Sequence, residues 1–167
     1  MTYTPNKYEL LIDAVRRNDL IVVQSLVQQM KAVPDYVLSA AIELNLVDQI
    51  AVLAPKCDRH TIGQGLRTTI VRRFVTPQIM HALLPYTDHR MRNLALADAC
   101  NARRADLVDV LYPLCDISKV ISVLDKYSGP HIEVWKTTLQ QRLNDEKLRE
   151  ILHGEVSSSN LSSKRKI

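Results

Sequence analysis

A six-residue motif, Leu-x-Pro-x-[Cys/Thr]-Asp, occurs three times in this chain, at residues 53–58, 83–88 and 111–116. Successive copies start 30 and 28 residues apart. Self-similarity at such a period is typical of repeat proteins, in which each unit buries its apolar face against its neighbours and is not stable alone. The motif therefore predicts a repeat array, and it limits the possible folds more strongly than any other feature of the sequence.

Each residue type in the motif suits the end of one helix and the start of the next. The leucine supplies a last buried contact, and the proline cannot continue a helix because it lacks a backbone N–H. The aspartate can accept the free N–H groups that open the following helix. We expect each copy to end the second helix of one unit and to begin the next unit.

Positions counted from the motif extend the same frame beyond its three copies. The residues fourteen before the three prolines are Ala41, Val71 and Ala99, which serve as anchors of units two, three and four. Ala14 and Val123 take the corresponding places in one unit before and one unit after these. The frame therefore predicts five units.

Each unit has the pattern of two short amphipathic helices joined by a turn. In unit one, apolar residues within residues 10–15 precede the polar break of residues 16–19, and a second apolar stripe follows in residues 20–27. Apolar residues at a spacing of three or four are typical of helices that bury one face. Strand signals are nearly absent, since the chain has no hairpin dipeptide and only four glycines. We predict an all-α fold.

The composition agrees with a single packed domain in a reducing compartment. The chain of 167 residues is 46% apolar and only 5% aromatic, which suits repeats packed by alanine, leucine, valine and isoleucine. No stretch approaches the roughly 18 apolar residues of a membrane span, and the start of the chain lacks the pattern of a signal peptide. The three cysteines, Cys57, Cys100 and Cys115, form no closely spaced pair. We expect a soluble cytoplasmic protein.

The C-terminal segment differs in composition from the rest. Residues 153–167 are rich in serine and end in basic residues. Such low-complexity sequence cannot bury enough apolar surface to offset the entropy of ordering it. We assign residues 1–152 to the helical repeat domain and residues 153–167 to a disordered, Ser-rich basic tail.

Two stretches carry a resemblance to a known family. Residues 14–27 resemble the central part of an ankyrin repeat, and residues 99–116 are similar to the second half of one and its exit loop. The resemblance covers the chain from about residue 5 to about residue 140 and implies units of two antiparallel helices stacked side by side. We therefore expect an ankyrin-like α-solenoid of about five short helix-turn-helix repeats. Another helical-hairpin solenoid is the structural alternative.

The turn between the two helices of a unit departs from the family pattern. The family's glycine is replaced by Asn18, Asn45, Val75 and Arg103 in units one to four. Asparagine tolerates the left-handed backbone conformation that glycine adopts there, whereas valine does not. We expect unit three to turn differently.

Repeat surfaces typically bind proteins or peptides, and basic residues recur near the inter-helix turns. Stacked units would align these residues into an interrupted basic ridge suited to an acidic protein segment, with one acidic residue in the unit-two gap. An alternative interpretation is that basic residues near the ends of helices only complement the helix dipole. The candidate partner-binding residues are Arg16, Arg17, Glu43, Arg72, Arg73, Arg103 and Arg104.

Other classes of function have less support in the sequence. A net charge of +4 and a pI near 9.0 admit weak nucleic-acid binding as an alternative, although aromatic residues for base stacking are few. We expect no enzyme and no cofactor, because the five histidines are scattered and no phosphate-binding loop or nucleophile elbow occurs. Cys57, Asp58 and His60 fall short of the four ligands of a structural zinc, so we expect no metal site.

The C-terminal region suggests one more alternative. An acidic helix followed by a serine-rich terminus resembles the C-terminal translocation signals of bacterial type IV secretion effectors, many of which carry ankyrin repeats. That resemblance implies an effector that is translocated into a host cell and acts on a host protein.

Overall fold

The computed structural model describes residues 6–72 and 76–163, with side chains described as far as Ile151. These residues form ten α-helices and no β-strand, which confirms the all-α prediction. The helices are α1 (Lys7–Arg16), α2 (Leu20–Gln28), α3 (Asp35–Glu43), α4 (Val47–Leu53), α5 (Arg59–Val71), α6 (Pro77–Leu83), α7 (His89–Asn101), α8 (Ala105–Leu111), α9 (Ile117–Leu124) and α10 (Pro130–Ser163).

The helices pack in pairs, and the pairs follow one another. Helix α1 contacts α2, α3 contacts α4, and the same holds for each later pair. The first helices of the pairs also contact one another in chain order, from α1 through α3, α5 and α7 to α9, and the second helices do so from α2 through α4 and α6 to α8. The chain therefore builds two rows of helices, with α10 packed against α9 and α7.

The repeated motif ends one helix and starts the next, as predicted. Its leucines, Leu53, Leu83 and Leu111, are the last residues of α4, α6 and α8 and are fully buried. The prolines lie in short 3-10 turns that follow directly, at Ala54–Lys56, Leu84–Tyr86 and Tyr112–Leu114.

The aspartates of the motif cap the next helix. The Oδ1 atoms of Asp58, Asp88 and Asp116 accept the backbone N–H three residues further on, at 2.7, 2.8 and 3.2 Å. Each bond satisfies one of the N–H groups that a helix start leaves without an intrahelical partner, which typically contributes about 1 kcal/mol. Local chemistry therefore marks where units three, four and five begin.

Three of the inter-helix turns share one left-handed residue. The φ angles of Asn18, Asn45 and Arg103 are 56°, 58° and 58°. The backbone N–H of each donates to the carbonyl three residues earlier, and the next N–H donates to the carbonyl five residues earlier. This is the Schellman arrangement, which satisfies the last carbonyls of a helix.

Helix α5 of unit three ends differently from the first helices of the other units. Helix α5 stops at Val71, and Arg72 is extended with φ −83° and ψ 107°. The corresponding residues of the other three units, Val15, Ile42 and Cys100, are still helical. Val75 itself lies outside the described residues.

Helix α10 is much longer than the second helix of any other unit. Its backbone is helical through residues 153–163, part of the segment for which the sequence predicts disorder. The segment continues a helix that is already formed, and adding a residue to an existing helix requires no new nucleation. Residues 164–167 lie outside the described residues, and the division at residue 152 stays a prediction.

Candidate interaction surface

The arginines near the turns of units one and four are only partly arranged as predicted. Arg16 and Arg17 are exposed at the end of α1, and Arg103 is exposed at its turn. Arg104, by contrast, faces inward and is 8% exposed. Arg73 lies outside the described residues. An exposed ridge therefore cannot include the charge of Arg104.

Arg104 is held by backbone carbonyls and one carboxylate. Its Nη1 donates to the carbonyl oxygens of Thr69 at 3.3 Å and Arg72 at 3.0 Å. Its Nε and Nη2 donate to the two carboxylate oxygens of Asp106, at 2.9 and 2.7 Å. The hydrogen bond from Arg104 lowers the pKa of Asp106 below its ordinary value of 3.8. Arg104 thus joins unit four to the end of α5.

Glu43 and Arg72 pair with each other. The Arg72 Nη2 atom lies 3.1 Å from the Glu43 Oε1 atom, and both side chains are about half exposed. The acidic residue in the unit-two gap therefore neutralises its basic neighbour in unit three. Exposed ion pairs of this kind contribute little to stability, typically below about 1 kcal/mol.

Side chains at each left-handed turn reach into the following unit. The Asn18 Oδ1 atom accepts from Gln49 Nε2 at 3.0 Å, and the Asn45 Oδ1 atom accepts from Thr76 Oγ1 at 3.0 Å. In unit four, Arg103 Nη2 lies 3.5 Å from His131 Nδ1. Each left-handed turn thus contacts a residue in, or at the start of, the second helix of the following unit.

A groove lies between α5 and α7. Its volume is about 460 Å³, within the range of roughly 300–1,000 Å³ typical of binding pockets. Its walls come from two neighbouring first helices and from Tyr127, three residues after the end of α9. The lining residues are Arg59, His60, Gly63, Gln64, Leu66 and Arg67 of α5, Met91, Leu94, Ala95 and Asp98 of α7, and Tyr127.

Tyr127 lines the groove and is bonded to another of its residues. Its hydroxyl donates to Asp98 Oδ1 at 2.5 Å. Burial, together with this hydrogen bond to a carboxylate, raises the pKa of Tyr127 to about 12, so the hydroxyl stays protonated near neutral pH. The other Asp98 oxygen, Oδ2, lies 3.9 Å from Arg67 Nε, a long ion pair with a largely exposed arginine.

The sequence did not single out this groove. Its residues come from α5, α7 and the chain after α9, and no local spacing brings them together. One signal was present, the residues Arg59 and His60 directly after the capping Asp58, both of which line the groove.

The cysteines have no feature of reactive thiols. Burial raises the pKa of Cys57, Cys100 and Cys115 to about 12, which keeps the sulfur atoms protonated at neutral pH. Cys57 Sγ donates to the carbonyl of Leu53 at 3.4 Å. Within the described part of the chain, no group of three or more His, Cys, Asp or Glu side chains is placed to hold a metal ion.

The described helices also include none that is long and apolar enough to cross a membrane. Comparison of the chain with models of protein families, with curated proteins and with solved structures finds no match. Geometry and charge are therefore the basis for the function proposed below.

Proposed function

We propose that this chain is a non-catalytic scaffold that binds a protein or peptide partner through the surface of ankyrin-like helical repeats. The supporting observation is the set of side-chain contacts that join each left-handed turn to the next unit, Asn18 to Gln49 and Asn45 to Thr76. These contacts tie a turn to the following unit, and the first helices and the second helices of the pairs each contact their counterparts in chain order. The same helix positions then recur side by side along the surface, which is how repeat proteins build extended binding faces.

The charges on this surface favour an acidic partner. Arg16, Arg17 and Arg103 are exposed at the turns, while Arg59 and Arg67 are exposed beside the groove, with side chains 84% and 70% accessible. Electrostatic complementarity of this kind raises association rates and excludes wrongly charged partners more than it adds affinity. Arg104 has no part in this surface, because its guanidinium is committed to Asp106 and to backbone carbonyls.

Reconstitution with purified partners tests the proposal. The full chain, immobilised, is used to enrich proteins from a cell extract, and each enriched protein is then purified and titrated against the chain by calorimetry. We expect at least one binary complex with a Kd in the micromolar range or below, weakened when Arg16 and Arg17 or Arg59 and Arg67 are changed to glutamate.

Nucleic acid is the alternative ligand of the same surface, and a second experiment tests it. A gel-shift titration with single- and double-stranded oligonucleotides at about 50 and 200 mM salt separates the two, because phosphate binding weakens steeply with salt. If no enriched protein forms a binary complex and an oligonucleotide binds at low salt, the scaffold proposal is wrong.

A further inference from the structure

Three features of the groove between α5 and α7 bear on binding, and the first two depart from the local preferences of a helix. They are a glycine inside a helix, basic residues at a helix N-terminus and an exposed leucine. Departures from local rules that no packing requirement explains are expected at functional sites. The three features meet in a single concavity.

Gly63 is the first feature. Glycine inside a helix is less favourable than alanine by about 0.8–1.0 kcal/mol. A Cβ atom at Gly63 would meet only the Cε of Met91, at 3.6 Å, an ordinary van der Waals distance. At Gly65, two residues on, a Cβ would lie 3.0 Å from Ile42 Cδ1, so close packing explains that glycine. Packing does not explain Gly63, whose missing side chain leaves the groove open.

The basic start of α5 is the second feature. Helix N-termini carry partial positive charge and favour acidic residues, yet the first two residues of α5 are Arg59 and His60. Arg59 is 84% exposed, and its Nη1 lies 3.8 Å from Asp88 Oδ2, a long and solvated pair. The cation is therefore placed where it gains little from the protein and where a carboxylate from outside can reach it.

The apolar floor is the third feature. Leu94 is 44% exposed and Met91 is partly buried, and both lie on α7 facing the groove. Methionine adapts its shape to different apolar partners. Arg67, which is 70% exposed, lines the α5 side of the groove. The groove thus combines an apolar floor with two accessible guanidinium groups.

We propose that the α5–α7 groove binds an acidic segment of a protein partner, which places one large apolar side chain against Met91 and Leu94 and carboxylates against Arg59 and Arg67. This assignment rests on the proposed scaffold function and names its binding site and the chemistry of its ligand. The charged side chains that line the groove are Arg59, Arg67 and Asp98, a net charge of +1, which an acidic segment complements. The apolar side chain fills the space that Gly63 leaves open.

A displayed library of random peptides about twelve residues long, selected against the full chain, is the probe. We expect the selected peptides to be acidic and to contain at least one leucine, methionine or aromatic residue. Synthetic labelled copies, measured by fluorescence anisotropy, should bind about tenfold more weakly when Arg59 is changed to glutamate. Affinity should also fall between about 50 and 300 mM NaCl.

Two series of variants separate the groove from general effects of charge. Lys7→Glu is the matched control for Arg59→Glu, since Lys7 is the first residue of α1 as Arg59 is of α5, and it should change the affinity less than about twofold. At position 63, affinity should decrease in the order Gly, Ala, Leu while the thermal midpoint does not fall. A lower affinity without a lower thermal midpoint distinguishes a blocked groove from an unfolded protein.

Each remaining outcome counts against the groove. Selected peptides without an acidic bias overturn the proposed ligand. Acidic peptides that bind equally well to Arg59→Glu and Gly63→Leu overturn the site while supporting the scaffold function. If no peptide is selected, the groove proposal fails, whereas the reconstituted protein complexes decide the scaffold function separately. If a labelled oligonucleotide displaces the peptide, and its own binding is unchanged by Gly63→Leu, the arginines bind phosphate rather than the carboxylates of a peptide.

Discussion

The guanidinium of Arg104 donates a hydrogen bond to the backbone carbonyl of Arg72, 3.0 Å away. The counterparts of that carbonyl in the other units, those of Val15, Ile42 and Cys100, accept the N–H of a left-handed turn residue instead. Unit three has an extended residue where the others remain helical. In unit three this carbonyl thus accepts a hydrogen bond from a side chain of unit four. In the other three units the corresponding carbonyl accepts one from the backbone of its own turn.

We expect Arg104→Met to lower the free energy of unfolding by about 2–3 kcal/mol, because charge-assisted hydrogen bonds to Thr69, Arg72 and Asp106 are lost. Urea unfolding followed by circular dichroism measures it. Arg103→Met is the matched control, since the same change is made at an exposed neighbour, and it should stay within about 0.5 kcal/mol. Equal effects of the two variants would contradict the structural role of Arg104.

Arg103→Gly should stabilise the protein by up to about 1 kcal/mol, because a left-handed conformation costs a non-glycine residue about 1–2 kcal/mol and the added flexibility of the unfolded chain returns only part of it. Asn101→Gly, at the last helical residue of α7, provides the contrast and should destabilise. The thermal midpoint of unfolding should rise in Arg103→Gly and fall in Asn101→Gly. A loss of stability in Arg103→Gly would mean that its contact with His131 outweighs the backbone strain.

Gly63→Ala should raise the free energy of unfolding by up to about 1 kcal/mol, because alanine favours the helix and its methyl group meets no close neighbour. Gly65→Ala is the paired variant. Its methyl group would press on Ile42 and Leu38, at 3.0 and 3.3 Å, so it should gain less or destabilise. Denaturant titration of both proteins tests the difference, and equal gains would show that α5 has room at both positions.

Asp106 should make stability depend on pH in the acid range. Its pKa in the folded protein is lowered, mainly by the hydrogen bond from Arg104, so the stability it contributes is present above its unfolded pKa of about 3.9. That contribution is lost as the pH falls through the lower, folded pKa. Wild type should therefore be more stable than Asp106→Asn at pH near 6, with the difference shrinking below about pH 4.

Thermal unfolding of both proteins across that range measures the effect of Asp106. In the Arg104→Met background the partner of the carboxylate is absent, so Asp106→Asn should have little effect at either end of the range. A difference that persists unchanged in that background would assign the pH dependence to another group.

Much of the helix pattern was predictable because its causes are local. Leu53, Pro55 and Asp58 end one helix and start the next through burial, a missing N–H and a side-chain cap, all within six residues. Asn18 was expected to tolerate a left-handed turn for the same kind of reason, and it does. The serine-rich end was harder to predict. Its composition indicates disorder, but residues 153–163 continue helix α10.

The different burial of two neighbouring arginines could not be predicted from the local sequence. Arg103 and Arg104 look alike in the sequence, yet one is exposed and the other is 8% exposed and bonded to backbone. What separates them is a different unit, in which the carbonyls of Thr69 and Arg72 accept hydrogen bonds from Arg104. Nothing within a few residues of Arg104 carries that information.

By itself, the sequence determined the class of fold and the places where several of the helices begin and end, because caps, prolines and apolar spacing act over a few residues. Only the tertiary structure decided which charges face solvent and which groups meet in the α5–α7 groove. Arg67 and Leu94 lie on separate helices, and their proximity depends on how those helices stack. Stacking is set by side-chain packing between units, a sum over many contacts that no single motif encodes.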